Sequence, residues 1–339
     1  MNHAAREHAP LTLSKLQRQF INQFQGNFPL QQRPFRQIAE QLNRTEDELV
    51  DTVQQLAAEN ILTRFGPLYD ADALEGGLTL AAMSVPEERY ATVTAMVNRF
   101  PQVAHNYRRE HQLNMWFVVA TETLAEIKQV LQSIENTTGL TVYNFPKQQE
   151  FYIGLWLKLH SDGSVNTIPV QSCVTKTNNR NQADAIDKNL IRATQTGLPI
   201  TKTPYQSIAQ NTGLSEQETL QRLERMLKSG IIRRIGAVPN HYRLGLAANG
   251  MTVWDVDDSK ITELGNTIGQ LDFVSHCYQR PRHQPAWPYN LFAMVHGHNK
   301  TEVNDKVKQI ETLLGGNCRG HETLFSSAIL KKTGLRLAA

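Results

Sequence analysis

Cysteine is scarce in this chain. Only Cys173, Cys277 and Cys318 occur in 339 residues, an odd number, widely spaced and with no CxxC pair. That pattern argues against a disulfide framework or a zinc site and fits a reducing compartment. Long apolar runs are also missing. A membrane helix needs ~18 apolar residues or more, whereas Met115–Ala120 and Phe151–Leu159, the most apolar segments, are strand-sized. The first residues, Met1 to His8, are polar, include an acid and show no apolar signal core. A cytoplasmic protein that does not enter membranes is expected. An excess of one charge is lacking too. The 35 basic and 32 acidic residues leave +3, too small a bias to argue for nucleic acid. With 40% hydrophobic and 20% charged residues, the chain has the composition of a globular protein, and its length allows two to three domains.

What is present is a repeat at an offset of 170 residues. Phe28-Pro29-Leu30 matches Leu198-Pro199-Ile200, Pro34-Phe35 matches Pro204-Tyr205, and Ile38-Ala39 matches Ile208-Ala209. Thr45 and Glu48 match Ser215 and Glu218, Ile61-Leu62 matches Ile231-Ile232, and Arg64 and Gly66 match Arg234 and Gly236. The period is too long for a solenoid and indicates two homologous halves.

Each half opens with three short helical stripes, the third introduced by Thr45-Glu-Asp-Glu48 or Ser215-Glu-Gln-Glu218, which read as capping boxes. A short strand follows, as in a winged helix-turn-helix. Next comes a β-α-β-β-α-β order, a ferredoxin-like sandwich. The reading is an α+β fold, a tandem duplication of both units. It places winged helices at 11–66 and 184–236, ferredoxin-like domains at 74–160 and 244–339, and a linker rich in Ser, Thr and Asn at 161–183.

This plan resembles two fused Lrp/AsnC regulators, which makes DNA the first partner to weigh. The would-be recognition helix Thr45–Glu59 carries five acids and no Lys or Arg, while DNA affinity comes mostly from cations on phosphates. Its counterpart, Ser215–Gly230, is balanced, with Arg222, Arg225 and Lys228 against Glu216, Glu218 and Glu224. Unlike helices also depart from the two-fold symmetry that palindromic sites mirror. Only the wing residues Arg233 and Arg234 favour DNA.

A paired signature stands on the second sandwich strand of each half: His105-Asn-Tyr-Arg-Arg109 and His276-Cys-Tyr-Gln-Arg280. Strand side chains alternate, so His105, Tyr107 and Arg109 share a face, as do His276, Tyr278 and Arg280. Such a face makes a poor core. It offers a proton carrier, an aromatic wall and a fixed cation; the plainer alternative is a polar face paired across an interface. The following loops differ, with four residues between Arg109 and Asn114 but nine between Arg280 and Asn290. The longer loop holds three prolines, together with Arg282, His283, Trp287 and Tyr289. Aromatic planes and guanidinium forks suit a large planar polyanion. Alternatively the loop, Trp287 included, packs over the neighbouring half.

His105-Asn-Tyr-Arg-Arg-Glu-His-Gln-Leu-Asn-Met-Trp116 resembles the HNYxREHxxNxWF segment of one subunit type of the siroheme decarboxylases. His276-Cys-Tyr-Gln-Arg-Pro-Arg282 followed by Trp287-Pro-Tyr-Asn-Leu-Phe-Ala-Met-Val-His-Gly297 resembles the HCYxRPR…WPYNLYxMxHG segment of the partner type, and Leu324–Gly334 resembles the family's LFSxxxxKxxG ending. One segment departs: where many members carry an FHIDLGF-like run, Tyr152, Gly154 and Trp156 replace His, Asp and Gly, so no role is carried onto it. The resemblance implies removal of two acetate carboxylates from siroheme to give didecarboxysiroheme, with fusion of unlike halves favouring the haem d1 route. It implies no added cofactor or metal, the iron being the substrate's own. It also implies an intramolecular pseudo-dimer, with a homodimer of the fused chain left open.

The catalytic residues expected on that basis are His105 and His276 as proton donors, with Tyr107 and Tyr278 beside them. The substrate-binding set is Arg108, Arg109, Asn114, Trp116, Arg280, Arg282, Trp287 and Asn290. The competing readings are a tetrapyrrole-responsive regulator and an inactive haem carrier with His105 or His276 on the iron. On the charge argument the chain should give no sequence-specific DNA complex at physiological salt; a footprint on a defined operator would reverse that and promote the regulator reading.

Overall fold

The computed structural model describes residues 11–70, 76–168 and 183–332. In the first half, helices α1 (Lys15–Phe24), α2 (Pro34–Gln41) and α3 (Glu46–Ala58) precede strand β1 (Leu62–Tyr69). The sandwich follows as β2 (Gly77–Met83), α4 (Tyr90–Arg99), β3 (Val103–Arg109), β4 (Met115–Thr121), α5 (Leu124–Thr138) and β5 (Tyr143–Pro146). Three more strands come next: β6 (Gln149–Ile153), β7 (Leu157–Leu159) and β8 (Val165–Thr167). The second half repeats the plan. It contains α6 (Ala185–Thr194), α7 (Pro204–Thr212), α8 (Glu216–Lys228), β9 (Ile232–Pro239), β10 (Ala248–Val256), α9 (Ile261–Gly269), β11 (Val274–Gln279), β12 (Leu291–Gly297), α10 (Lys300–Leu314) and β13 (Cys318–Lys332).

Local chemistry accounts for the helix starts. Ser14 and Asp184 each form a capping box with the residue three positions on. Thr45 and Ser215 accept from the Glu48 and Glu218 amides, but only this half of the expected box forms at α3, where Glu48 turns to Arg44. Pro34 and Pro204 occupy first-turn positions of α2 and α7, where no amide hydrogen is needed.

The linker expected at 161–183 is corrected in part. β8 lies inside it and pairs with β7, and the hairpin is clipped to α1. The Asn22 side chain bonds both backbone groups of Leu159, each at 2.9 Å, and Gln25 bonds both of Leu157, at 2.7 and 2.9 Å. The remainder of the linker, 169–182 with Cys173, lies outside the described residues, as do 333–339 with the end of the C-terminal motif.

The two winged helices share one core, centred on Phe20, Phe24, Phe28, Phe35 and Phe65 and reaching Leu190, Tyr205 and Ile235. Their wings do not stand free. β1 pairs antiparallel with β9, and Gly66 lies opposite Gly236 at the centre of the pair. The flanking bonds repeat across this point: the Phe28 amide donates to Ile235 at 3.0 Å, and the Leu198 amide to Phe65 at 2.7 Å. The basic wing residues are engaged as well. Arg233 pairs with Glu150 and Asp70 at 2.8 and 3.0 Å, and Arg234 lies over the Trp156 ring.

The sandwich strands form one curled antiparallel sheet in the order β5-β2-β4-β3-β13-β10-β12-β11-β6. β5 and β6, at its two ends, are adjacent in sequence, so Lys147 and Gln148 close the curl. Long β13 pairs with β10 along its first part and then with β3 of the other half; β6 likewise pairs with β11. Between the curled faces lies a second core of Trp116, Phe145, Met251, Val253, Trp287, Tyr289, Phe292 and Leu324.

The glycine pair gives a test. Gly66 has φ +143, and a Cβ there would stand 2.7 Å from the Leu198 nitrogen; one on Gly236 would meet the Phe24 carbonyl. Gly66→Ala and Gly236→Ala should each destabilise the chain by about 2–4 kcal/mol, measured by urea unfolding.

Candidate active site

The two signature strands hold the faces that alternation requires. On β3 the His105 and Tyr107 rings stack at 6.2 Å between centroids, and the Arg109 guanidinium lies 5.8 Å from the Tyr107 ring. On β11 His276 and Tyr278 stand 6.0 Å apart, and the Arg280 guanidinium lies 5.0 Å from Tyr278. Each ladder ends on the opposite half. Arg109 donates to the Leu324 carbonyl of β13 at 2.6 Å, and Arg280 donates to the Phe145 carbonyl of β5.

Six of the expected substrate contacts take other roles. Asn114 accepts from the Val85 amide at 2.9 Å and donates to its carbonyl at 2.8 Å. Asn290 does the same to Val256 at 2.9 and 3.0 Å. Both asparagines therefore clip a strand end, and Asn290 also donates to Asp258 at 2.8 Å. Trp116 and Trp287 are fully buried, 5.0 Å apart in the core between the halves, so neither offers a face to a ligand. Arg282 is held by Asp255 at 2.8 Å and by Asp258. Arg108 lies on the helix side, 4.3 Å from the Tyr90 ring and paired with Glu87. The long loop thus docks on the first half, with His283 bonded to the Asn144 carbonyl at 2.7 Å.

Other residues join the ladders; apart from Ser275, which adjoins His276, they come from distant parts of the chain. Lys332 of β13 lies opposite His105 in register, and its ammonium sits 5.7 Å from the Tyr242 ring. Tyr242 is within electrostatic reach of Tyr107 and Arg109. The His241 ring stands 5.2 Å from His296. Ser275 Oγ lies 2.7 Å from His276 Nδ1 and 2.6 Å from His296 Nε2, and His296 Nδ1 meets Asn249 Oδ1. His296 does stand in the quoted Val-His-Gly segment, but only strand register brings it to Ser275. On the His276 side, Glu150 of β6 lies opposite Tyr278 and is gripped by Arg233 and Lys147. Against the burial that would raise it, these cations hold the Glu150 carboxyl down at about 2. Phe151 and Trp156 of the departing segment are packing residues, against Gly265 and Gly26.

Burial sets the protonation of the histidines. It pushes His105 down to about 4, with Lys332 adding to the effect. It takes His241 and His276 to about 4 as well, in His276 against the pull of Glu150, and carries His296 well below its usual range. The site is thus a cationic region with neutral imidazoles. Among the described residues no group of three or more His, Cys, Asp or Glu is placed to hold a metal, and no helix is long and apolar enough to cross a membrane.

Comparison with known proteins agrees with this architecture. The AsnC-like ligand binding domain matches residues 77–152 and 243–331, and the siroheme decarboxylase NirDL-like HTH domain matches 17–62 and 187–233. The siroheme decarboxylase of Hydrogenobacter thermophilus is 31% identical over 281 residues, 82% of each chain. The chain belongs to the siroheme decarboxylase family. Within that family, the NirH subunit of Pseudomonas aeruginosa is 59% identical over 151 residues, covering 44% of this chain and 88% of its own. The crystal structure of siroheme decarboxylase NirDL with an iron-uroporphyrin III analogue superposes with a TM-score of 0.69 at 26% identity, over 95% of this chain and 92% of the other. Family members thus occur both as half-length subunits and as full-length chains with this duplicated plan.

The depressed imidazoles predict an acid limit to stability. A histidine whose folded value lies below the unfolded value of ~6.5 contributes stability above that pH and loses it as pH falls toward the folded value. The melting temperature should therefore drop steadily between pH 6.5 and about 4, the window of His105, His241 and His276. A flat profile there would contradict the burial of neutral imidazoles.

Proposed function

We propose that this chain decarboxylates siroheme, removing two acetate carboxylates to give didecarboxysiroheme. One observation carries the reading: a His-Tyr-Arg face occurs twice, on the two strands that bond to the opposite half, in a region rich in cations. A large planar polyacid calls for aromatic walls and fixed cations. That a related NirDL has been crystallised with an iron-uroporphyrin III analogue supports a tetrapyrrole as the ligand class.

In each step the bond between the acetate methylene and its carboxylate breaks and carbon dioxide leaves. The electron pair passes into the macrocycle, and a proton joins the carbon to make a methyl group. His105 and His276 supply those protons. Each imidazole is neutral without substrate because its surroundings are largely desolvated and hold too little negative charge. Substrate carboxylates add that charge and raise the imidazole pKa, so binding draws a proton from solution onto the histidine. Tyr107 and Tyr278 orient the rings. Arg109, Arg280 and Lys332 grip propionates and spared acetates rather than the departing group, because a guanidinium on that carboxylate would stabilise the ground state. Lys332 takes the anchoring role that Arg108 and Arg282, held by Glu87 and by Asp255 and Asp258, leave open. The pairing of the wings with each other weighs against the regulator reading.

Anaerobic incubation with siroheme, followed by mass spectrometry of the tetrapyrrole, tests the reading. The parent chain should lose two carboxylates. His105→Ala and His276→Ala should each stall at a monodecarboxylated product, with the affected step slowed ~10²–10⁴-fold. Unaltered siroheme with the parent chain would refute the activity, and parent rates in both variants would refute the assignment to these strands.

A further inference from the structure

The duplication provides an internal comparison. Strand register equates Val274 and Val295 with Val103 and Val119, and Asn249 and His296 with Leu78 and Ala120. Ser275, next to Val274, then corresponds to Ala104. In the second half these positions form a continuous buried chain from Asn249 Oδ1 through His296 and Ser275 Oγ to His276 Nδ1. Ser275, His296 and Asn249 are 1%, 4% and 6% exposed, so solvent does not replace these bonds. In the first half the same positions are Ala104, Ala120 and Leu78, none of which has a side chain that can bond, and His105 Nδ1 is buried without a hydrogen-bond partner. Two ladders that share His, Tyr and Arg thus differ in what stands behind the histidine.

We infer that Asn249, His296 and Ser275 are positioning residues that fix the tautomer of His276. The Asn249 carbonyl oxygen can only accept, so His296 carries its proton on Nδ1 and presents the Nε2 lone pair. The Ser275 hydroxyl donates to that lone pair, and its oxygen accepts from His276 Nδ1–H. His276 Nε2 is left as the nitrogen that takes a proton from solution and hands it to the substrate carbon, while the Nδ1 proton stays in place. The arrangement follows the general pattern in which a second group orients a catalytic imidazole. His105 has no such support, so the two imidazoles are chemically unlike and only His276 is locked. Among the described residues, Glu150 from β6, Arg233 from β9, His241, His296 from β12, Tyr278 from its own strand and Arg280 just past that strand's end are the charged and titratable groups facing His276. The inference rests on the reading of His276 as a proton carrier.

Two measurements on the full chain test it. The first is ¹⁵N imidazole NMR without substrate, in which His276 of the parent should be the single Nδ1–H tautomer, and Ser275→Ala and His296→Leu should give a mixture. An Nε2–H His276 in the parent would overturn the inference even if no variant folds. The second measurement separates the two decarboxylations kinetically. Ser275→Ala and His296→Leu should slow the His276-dependent step at least ~10-fold and move its pH profile, with the His105-dependent step unchanged. His296→Gln, whose amide can still accept from Ser275, should restore most of that step. Siroheme Kd, followed by absorbance, should stay within about a factor of two of the parent, since no contact of ~1 kcal/mol to the ligand is lost. Equal loss of both steps, or a parent rate in Ser275→Ala, would overturn the assignment. If the parent leaves siroheme intact, the proposed activity fails, while the tautomer measurement still decides the inference.

Discussion

Each His-Tyr-Arg strand is hydrogen-bonded to the chain of the opposite half: β3 to the end of β13, and β11 to β6. Most of the site follows from that exchange. A sandwich with four strands leaves its second strand as an edge, and an exposed edge is a place for another strand to pair. Here the partner is the continuation of the other half's fourth strand, and Arg109 and Arg280 close the seam with bonds to the Leu324 and Phe145 carbonyls. The core of Trp116, Phe145, Trp287 and Phe292 then fills the space between the curled faces. Neither half could complete its ladder alone, because Lys332 comes from the second half to His105 and Glu150 from the first to Tyr278.

The same exchange sets the electrostatics. Bringing two polar faces into a curled sheet buries His296 and half-buries His105, His241 and His276, and the cost of charging a desolvated imidazole keeps all four neutral. Arginine and lysine keep their charge under such burial better than histidine does, so the region is positive but poorly protonated. A polycarboxylate is the ligand class that such a region accommodates and that would itself supply the missing counter-charge.

Duplication explains which features recur and which do not. The asparagine clips at Asn114 and Asn290 recur because both hairpins must return to the same strand end. The arginine cross-braces recur because both seams have the same geometry. The orienting chain behind His276 has no counterpart behind His105, and the docked loop from Pro281 to Tyr289 has none at the shorter turn after Arg109. Folding the two copies together holds the shared features in common, while the residues behind each histidine are free to differ.

The sequence by itself determined the duplication, the order of helices and strands, and the two ladders. All of these are local properties: a common offset, a period of 3.6 or 2, a cap three residues from its partner. It also carried the family resemblance. Tertiary structure decided what those residues meet. Arg108, Asn114, Trp116, Arg282, Trp287 and Asn290 have the chemistry of a tetrapyrrole site, yet their partners are Glu87, Val85, the inter-half core, Asp255 and Val256, fixed by which strands lie side by side. Lys332 and His296 reach the ladders through strand register, and Tyr242 through its contact with Lys332. Hydrogen bonding across strands joins residues far apart in the chain, so no local period announces such pairs.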